Sequence, residues 1–544
     1  MRTTVHRALA VVACAALLAA CSGGGEEAPA SGGNDTPTQS QGDDLPRGFV
    51  GADDAGGAAA GDPQPGGTLT YTLNVEADSL DPAGEFGAGS AGGSELTALY
   101  DLLVRYDYEA GEYVPQLAES LEPNADFSEW TVTLRDGVTF TDGTPLDADA
   151  VKFSVERYLA TSGGWSSLLG DALASVNAAD PSTVVFTLTR PWADFPFMLA
   201  QAPGNIVSPT AVAQYGDEFL RNPVGAGPFV LDHWAPGEEL VLTPNPDYWG
   251  GKPYLDQLRF TSAQTPQALA DLMTSGGTDV TQIRDPHVIR TLLGDDYGGF
   301  VDITNTGNIL YINSAAGHPG EDVRVRQAIA AAIDPEAINQ RAYDGEGLVG
   351  SEVFQDGSRW ANDVGGPAYD PDEAKRLLEE AKADGYDGAI EVTTGPTEPE
   401  AALTIQAMLN AVGFTAEVAQ VRTGQDLISK VLVDRDFDVS VYGASATDDP
   451  GDVFTRYYDR IGREGNFLGY SNPEMTQTLL DFAATGDEAE KKELAAQLQE
   501  IWNETMPFLP IAAAPVFLTW QDTVHGVQPS TQFQLLFDKA WIEQ

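Results

Sequence analysis

The sequence predicts an α/β fold divided into at least two lobes, and three observations lead to that prediction. Segments that alternate apolar and polar residues, as a half-buried strand does, recur between segments with the period of an amphipathic helix. Alternation of strands and helices along a chain is typical of α/β lobes. The chain from Gly67 onward has about 480 residues, which is too long for one ordinary core.

The first 20 residues have the layout of a secretory signal peptide. Arg2 and Arg7 give a basic start, and Ala8 to Ala20 form an apolar run that is too short to span a bilayer as a stable helix. A buried N-terminal helix is the other interpretation. It is disfavoured because the residues that follow offer almost nothing for such a helix to pack against.

A motif at the end of this run predicts a lipid anchor. Leu18-Ala19-Ala20-Cys21 resembles the bacterial lipobox, which implies cleavage before Cys21 and lipidation of its thiol. Cys14, the only other cysteine, lies within the signal peptide, so we expect no disulfide in the mature chain. The predicted location is the outer face of the cytoplasmic membrane, on its extracellular or periplasmic side.

Residues 21–66 are predicted to form a lipid-anchored flexible tether. Gly, Ala, Pro, Ser and Asp dominate this stretch, and only Leu45, Phe49 and Val50 are large apolar residues. Such a composition buries too little apolar surface to offset the entropy lost on ordering. A folded body would then be held away from the membrane.

The charge of the chain limits its partners. The formal net charge is −53, and about −48 remains on the body once the signal peptide and the tether are left out. This acidity argues against nucleic acid or anionic lipid as a partner. A solvated acidic surface suited to a saline habitat explains it better than a device for binding cationic ligands, although the charge alone does not identify a ligand.

The first elements of the body can be predicted from their periods. Residues 69–75 and 130–134 alternate apolar and polar side chains and are predicted strands. Asp147 is placed to cap a following helix. The apolar side of that helix consists of Val151, Val155, Tyr158 and Leu159.

Later elements have equally local signals. Asp370-Pro371 begins a predicted helix with a capping carboxylate and a proline in its first turn, and Asp384-Gly385 ends it. A second helix, around residues 405–412, ends at Gly413. Strands are expected at residues 418–421 and 437–441.

Motifs that would indicate an enzyme are weak or absent. The mature chain has four well-separated histidines and lacks an HExxH sequence, a GxSxG sequence and a Walker loop. Gly87 to Gly92 matches GxGxxG, but the preceding strand ends near Val75, too early for a dinucleotide fingerprint, so a mobile glycine-rich loop is preferred. A pair of acids acting as in a glycosidase stays open because acids are so common.

One long stretch resembles a known family. "NPVGAGPFVLDHWAPGEELVLTPNPDYWGGKPYLDQLRF", Asn222 to Phe260, is similar to the signature of extracellular solute-binding proteins of the peptide/nickel/opine class, family 5, the receptors of ABC importers. Shorter matches extend from Gly67 to Trp541 and include "DVRVRQAIAAAIDPEAI" and "YDPDEAKRLLEEA". The residues of "NPDYWGG" are expected to form scaffold rather than ligand contacts.

The resemblance implies a two-lobed periplasmic-binding-protein fold with two crossing segments and a sub-lobe inserted in the first lobe. The crossing segments are expected near residues 309–313 and 510–518. The implied domains are a signal peptide (1–20), the tether (21–66), lobe I (67–104, 189–309 and 513–544), the sub-lobe (105–188) and lobe II (310–512). Ligand would lie between the lobes and favour a hinge-closed form.

The resemblance also suggests ligand contacts in the loop after a second-lobe strand. Peptide-binding relatives carry an aspartate four residues before a proline there, for the peptide's amino group, whereas this chain has Ala446 at that place before Pro450. Asp448 is the candidate to replace it, and the alternative is that Asp448 and Asp449 cap a turn or the following helix. The other predicted ligand-binding residues are Tyr442, Gly443, Ser445, Trp360, Asn313 and Tyr311.

The resulting prediction is a substrate-binding lipoprotein of an ABC importer that takes a peptide-like or other small organic solute. Its expected partners are that ligand, a permease with its ATPase, and the membrane through the lipid anchor. The protein is expected to be a monomer and not an enzyme, without a cofactor, a metal site or nucleic acid. The alternatives are an oligosaccharide receptor of the same fold, with stacking on Trp360 or Trp165, and a secreted hydrolase.

Overall fold

The computed structural model describes residues 45–51, 61–89, 92–161, 163–443 and 445–544. The predicted signal peptide, the predicted lipidation site Cys21 and most of the predicted tether lie outside the described residues. Within the described ranges, every helix is too short or too polar to cross a membrane.

Strands and helices alternate through most of the described chain. The strands are β1 (Gly48–Val50), β2 (Thr68–Leu73), β3 (Val104–Asp107), β4 (Glu112–Pro115), β5 (Ala118–Pro123), β6 (Glu129–Leu134), β7 (Leu173–Asp180), β8 (Thr183–Leu188), β9 (Phe229–Ala235), β10 (Glu239–Pro244), β11 (Gln257–Ser262), β12 (Val280–Ile283), β13 (Gly298–Ile312), β14 (Ala389–Thr394), β15 (Thr415–Gln420), β16 (Val439–Gly443), β17 (Phe508–Trp520), β18 (Val524–His525), β19 (Gln528–Ser530), β20 (Gln534–Leu536) and β21 (Trp541–Ile542).

The α-helices are α1 (Gly93–Tyr100), α2 (Ala148–Leu159), α3 (Ser166–Ala172), α4 (Pro196–Leu199), α5 (Pro209–Tyr215), α6 (Pro266–Thr274), α7 (Pro286–Gly294), α8 (Val323–Ala332), α9 (Pro335–Ala342), α10 (Pro371–Ala383), α11 (Pro399–Val412), α12 (Gly424–Ile428), α13 (Pro450–Tyr457), α14 (Pro473–Ala484) and α15 (Glu488–Thr505). The α/β fold class predicted from the sequence is confirmed.

A single mixed sheet joins the two lobes. Among the described residues it has 11 strands, in the order β15-β14-β16-β13-β17-β12-β2-β11-β10-β9, with β1 added beside β13. Strands β13 and β17 occupy its middle. Strands β14 to β16 lie on one side of that pair, and β2 and β9 to β12 lie on the other.

The two middle strands are the crossing segments. They have 15 and 13 residues and pair antiparallel from Gly298 opposite Trp520 to Tyr311 opposite Phe508. Their register shifts between Thr304 and Asn308. At Gly307, a Cβ would lie only 2.3 Å from the backbone nitrogen of Ala514, so glycine permits the close approach of the two strands there. The predicted segment 510–518 lies within β17, and the predicted segment 309–313 overlaps β13 but extends one residue past its end at Ile312. The exact lobe boundaries stay a prediction.

The predicted sub-lobe region contains a sheet of its own. Strands β5, β6, β8 and β7 form four antiparallel neighbours in that order, and α2 packs beside them. Trp130, Val132 and Leu134 are buried, as their alternation predicts. The β3–β4 hairpin precedes this sheet.

The predicted helix ends are formed by the expected residues. The Asp147 carboxylate accepts a hydrogen bond from the Ala150 backbone N–H at 3.0 Å and begins α2. Asp370 caps α10 in the same way. Gly413 ends α11 with a φ of 107°, a conformation that glycine adopts without steric cost.

Residues 45–50, within the predicted tether, pack against the body. Strand β1 pairs with β13, with Gly48 opposite Val301, and Leu45 is buried in an apolar cluster. The physical reason is that Leu45, Phe49 and Val50, the three large apolar residues noted in this stretch, contribute apolar surface that packs on the body, and Phe49 contacts Phe300 edge-on at 5.1 Å.

Candidate ligand-binding cleft

A large cavity lies beside the crossing strands. Its volume is about 1040 Å³, at the upper end of the range for small-molecule sites. With the predicted lobe boundaries, lobe I and its sub-lobe contribute Phe86, Trp165, Arg284 and Phe533 to the wall, and lobe II contributes the wall opposite. A ligand in this cavity would contact both lobes.

Four of the seven predicted ligand-binding residues line the cavity. These are Tyr311, Tyr442, Gly443 and Ser445. Tyr311 on β13 and Tyr442 on β16 lie diagonally across the two neighbouring strands, because Ser440 is opposite Tyr311, and their ring centroids are 5.4 Å apart. Phe467 packs edge-on against Tyr311 at 5.0 Å. Together these rings form an aromatic wall, which suits the apolar parts of an organic solute.

The other three predicted residues, Asn313, Trp360 and Asp448, lie outside the cavity lining and make hydrogen bonds within the protein. Asn313 is fully buried, and its amide donates to the carbonyls of Arg435 and Phe437 at 3.1 and 2.9 Å. Trp360 is also fully buried, and its indole N–H donates to the Asp448 carbonyl at 2.9 Å. Both side chains hold loops in place in this structure, and a contact with ligand stays a prediction for each.

Asp448 is likewise used by the protein itself. Its Oδ1 accepts from Asn305 Nδ2 at 2.9 Å and from Ser358 Oγ at 2.6 Å. Its Oδ2 accepts from the Arg359 backbone N–H at 3.0 Å and lies 3.5 Å from Arg47 Nη1. The displaced carboxylate therefore joins a crossing strand, a lobe II loop and the N-terminal segment. Asp448 lies outside the cavity lining, and its role as a contact for a ligand amine stays a prediction.

Asp449 supports the alternative interpretation of the Asp448-Asp449 pair. It caps α13 by accepting from the Gly451 N–H at 2.9 Å. It also accepts from Tyr113 OH at 2.5 Å and from Thr531 Oγ1 at 2.6 Å, both in lobe I or its sub-lobe by the predicted boundaries. Burial raises the pKa of Asp449 to about 7. This carboxyl thus joins the two lobes next to the cavity.

Sequence reasoning missed the arginines of the cavity. The five arginines that line it are Arg284, Arg435, Arg456, Arg460 and Arg463. Arg456 lies near the end of α13, Arg460 lies in the π-helical turn Tyr458–Gly462 after it, and Arg463 directly follows that turn. Their spacing of four and then three residues, in a chain with 29 basic and 82 acidic residues, is the sequence signal that could have found them.

These arginines differ in their partners. Arg456 Nε is 3.2 Å from Asp452 Oδ1, and Arg463 Nε is 2.8 Å from Asp459 Oδ1. Arg460 donates instead to the hydroxyl of Tyr311 at 2.7 Å.

Arg284 also has a hydroxyl partner, because it donates to Ser445 Oγ at 3.4 Å. Burial, followed by the charge of Arg456, lowers the pKa of Arg284 to about 10.

Two residues that line the cavity from lobe I, Gln532 and Phe533, have a strained backbone conformation. Gln532 and Phe533 have φ angles of 56° and 62°, in the left-handed region that side chains other than glycine rarely adopt. Gly89 packs against them, where a Cβ would lie 1.9 Å from the Phe533 carbonyl oxygen, and its N–H donates to the Gln532 carbonyl at 2.9 Å. The glycine-rich loop therefore serves close packing beside the cavity.

Residues of the family-like signature lie elsewhere, as expected for scaffold. Tyr248 OH and Trp249 Nε1 donate to Asp101 Oδ2 at 2.7 and 2.9 Å. Burial raises the pKa of Asp101 to about 6. Within the described residues, there is no group of three or more His, Cys, Asp or Glu side chains that could hold a metal ion.

Comparison with known proteins places this fold in a family. The chain is 27% identical over 420 residues to the probable D,D-dipeptide-binding periplasmic protein DdpA of Escherichia coli (strain K12), which covers 74% of this chain and 80% of that protein. It is 27% identical over 499 residues to the dipeptide-binding protein of the same strain, covering 84% and 91%.

A solved structure has the same fold. The periplasmic binding protein DppA of Helicobacter pylori, in complex with the peptide STSA, superposes with a TM-score of 0.72 at 24% identity and covers 88% of this chain and 99% of that one. The two-lobed α/β fold implied by the resemblance is thereby confirmed. The model of the bacterial extracellular solute-binding proteins, family 5 (middle part), matches residues 112–466, about two thirds of the sequence, and the chain belongs to that family.

Proposed function

We propose that this protein is the solute receptor of an ABC importer, which captures a small peptide-like solute between its lobes and delivers it to a membrane permease. The observation that carries the proposal is the cavity of about 1040 Å³ with walls from both predicted lobes. A ligand that contacts both walls stabilises the closed arrangement over an open one. The two curated relatives described above are named for dipeptide substrates, which supports a peptide-like solute.

Contacts across the lobes support a hinge mechanism. Besides the Asp449 contacts, Lys491 Nζ lies 2.6 Å from Asp194 Oδ2, and both side chains are largely buried. An open form would expose these groups to water, so closure can be reversible. The register shift at Thr304–Asn308 is the proposed hinge, because the ladder hydrogen bonds are interrupted there in one crossing strand.

We further propose that the protein acts as a monomer held by a lipid on Cys21 at the outer face of the cytoplasmic membrane. The signal-like first 20 residues and the lipobox-like motif support this part of the proposal.

An oligosaccharide receptor is the second candidate. The indole of Trp165 in the cavity wall favours it, because aromatic faces suit sugar rings.

Native mass spectrometry of protein purified from its own host tests the proposal. We expect a bound solute of peptide-like mass, unchanged on long incubation, and a smaller radius of gyration by X-ray scattering when that solute is added back. A sugar mass would instead establish the second candidate. Steady conversion of the solute, or an unchanged radius with saturating solute, would overturn the receptor.

Two matched variants tie the effect to the cavity. Ser445→Phe places a large side chain in the wall and should abolish retention of the solute. Ser275→Phe, at an exposed position after α6, should retain it. Equal retention by both variants would show that the solute binds somewhere else.

A further inference from the structure

We propose that the solute is anionic, a small acidic peptide whose side-chain carboxylates bind Arg284 and Arg460. This inference rests on the proposed receptor function and names the class of its substrate. A site for an anionic solute is distinct from the amine contact that the sequence predicts at Asp448.

The charge of the cavity is opposite to that of the molecule. The whole chain carries −53, yet the cavity wall contains five arginines against three acids, Asp285, Glu398 and Asp459. Basic residues are scarce in this sequence, so five of them on one cavity form a concentrated positive site. A concave site of one charge sign raises the local concentration of ligands with the opposite sign.

The three acids of the wall are already engaged. Asp285 Oδ1 accepts from the Val288 N–H at 3.0 Å and caps α7, and Asp459 pairs with Arg463. Glu398 accepts from Tyr343 OH at 3.1 Å, and burial raises its pKa. Each acid thus has a protein partner, and none of these contacts involves Arg284 or Arg460.

Among the described residues, three cavity arginines form no ion pair with a carboxylate: Arg284, Arg435 and Arg460. Arg435 is exposed and donates to the Gly465 carbonyl at 3.2 Å, whereas Arg284 and Arg460 are partly buried in the wall. These two donate hydrogen bonds to the hydroxyls of Ser445 and Tyr311. A guanidinium presents a planar fork of donors that matches a carboxylate in two parallel hydrogen bonds. By the predicted boundaries Arg284 belongs to lobe I and Arg460 to lobe II, so a ligand whose carboxylates bind both groups would link the two lobes.

Both groups are held in place before a ligand arrives. The Arg284 guanidinium lies over the Phe533 ring at 5.2 Å, and that ring is presented by the strained Gln532-Phe533 segment. Arg460 also donates to the Arg456 carbonyl at 3.0 Å. Preorganised side chains lose less freedom on binding, so more of the interaction contributes to affinity.

The neighbouring positive charges have a cost that an anion relieves. Burial, followed by the charge of Arg456, lowers the pKa of Arg284 to about 10, so both disfavour its charged form. A bound carboxylate reverses that effect. The repulsion between these arginines is therefore consistent with a site that is complete only when an anion is present.

Calorimetry with three peptides of equal length tests the inference: triglutamate, its uncharged isostere triglutamine, and trilysine. We expect triglutamate to bind best. A hydrogen bond to a charged group corresponds to about a tenfold to hundredfold change in affinity, so Arg284→Gln should weaken triglutamate by that factor. Arg284→Lys should recover part of the loss, and the melting temperature of unliganded Arg284→Gln should stay equal or rise.

Arg376→Gln is the matched control, because Arg376 is exposed on α10 and pairs with Glu373 and Glu380. It should bind triglutamate as the wild type does. If triglutamine or trilysine binds as well as triglutamate, or if Arg284→Gln binds triglutamate unchanged, the anionic inference is wrong while the receptor function stands. If the wild type binds none of the three peptides, a peptide-like substrate is wrong as well.

Discussion

Replacement of Asp448 by asparagine distinguishes a structural carboxylate from a ligand contact. Asparagine keeps the shape but has one acceptor oxygen and an NH₂ group in place of the second oxygen. The oxygen can still accept from Asn305 and Ser358. The NH₂ group then faces the Arg359 backbone N–H and Arg47, two donors that the carboxylate satisfies in the wild type.

The expected loss of stability follows from these contacts. The Arg359 N–H loses its acceptor, which costs about 1–3 kcal/mol, and the partly exposed ion pair with Arg47 contributes about 0–1 kcal/mol. We therefore expect the free energy of unfolding to fall by about 1–4 kcal/mol. With an unfolding entropy of about 2.1 cal/mol/K per residue, a body of about 480 residues loses roughly 1 °C of melting temperature per kcal/mol. The expected decrease is about 1–4 °C.

Differential scanning calorimetry of unliganded protein measures this decrease, and titration with triglutamate measures affinity. Asp448→Asn should lower the melting temperature and leave the affinity within about twofold. Asp436→Asn is the control, because that side chain is 83% exposed and its loss should change stability by less than about 0.5 kcal/mol. An unchanged melting temperature together with a tenfold or greater loss of affinity would refute the structural role of Asp448 and support it as a ligand contact.

Three further predictions concern pH, salt and the anchor. Burial raises the folded-state pKa of Asp101 to about 6, of Asp302, Asp449 and Glu85 to about 7, and of Glu95 to about 8. The unfolded chain has already lost these protons at pH 5.5, whereas the folded protein must lose them as the pH rises to 8. The melting temperature should therefore fall over this range. A melting temperature that increases with pH would contradict this prediction. Because the Debye length shrinks from ~10 Å at 0.1 M to ~3 Å at 1 M salt, self-repulsion of the acidic body should weaken and its melting temperature should rise in sodium chloride, whereas a flat response would leave the acidity unexplained. Cys21→Ser should release the protein from the membrane or leave it unprocessed with its fold unchanged, and a cleaved variant that stays membrane-bound would exclude the lipid anchor.

The sequence alone predicted the parts of this fold that depend on neighbours in the chain. The caps at Asp147 and Asp370 and the helix end at Gly413 act within one helical turn, so a short window of residues is sufficient to recognise them. Burial of the apolar side of α10 follows from its period in the same way. The family followed from long motifs, and its two-lobed fold followed from the family. The predicted ends of two strands were wrong by one or two residues: β2 ends at Leu73 instead of residue 75, and β15 ends at Gln420 instead of residue 421.

The candidate site was only partly predictable. Tyr311, Tyr442, Gly443 and Ser445 were found because they lie on or directly after strands that the family places at the cleft. Whether the carboxylate of Asp448 faces ligand or protein depends on donors at Asn305, Ser358 and Arg47, which are 90 or more positions away in the chain. The residues of the loop alone therefore cannot identify these hydrogen-bond donors.

What the sequence by itself determined is the order and kind of the elements, their caps and the class of protein, because these depend on local periods and contiguous motifs. What only the tertiary structure decided is the sign of the charge in the cavity. Arg284 meets Ser445 across 161 positions, and β1 meets β13 across about 250. A chain with a large excess of acid gives no indication that five of its arginines converge on one cavity, because convergence is a property of the folded sheet and its crossing strands.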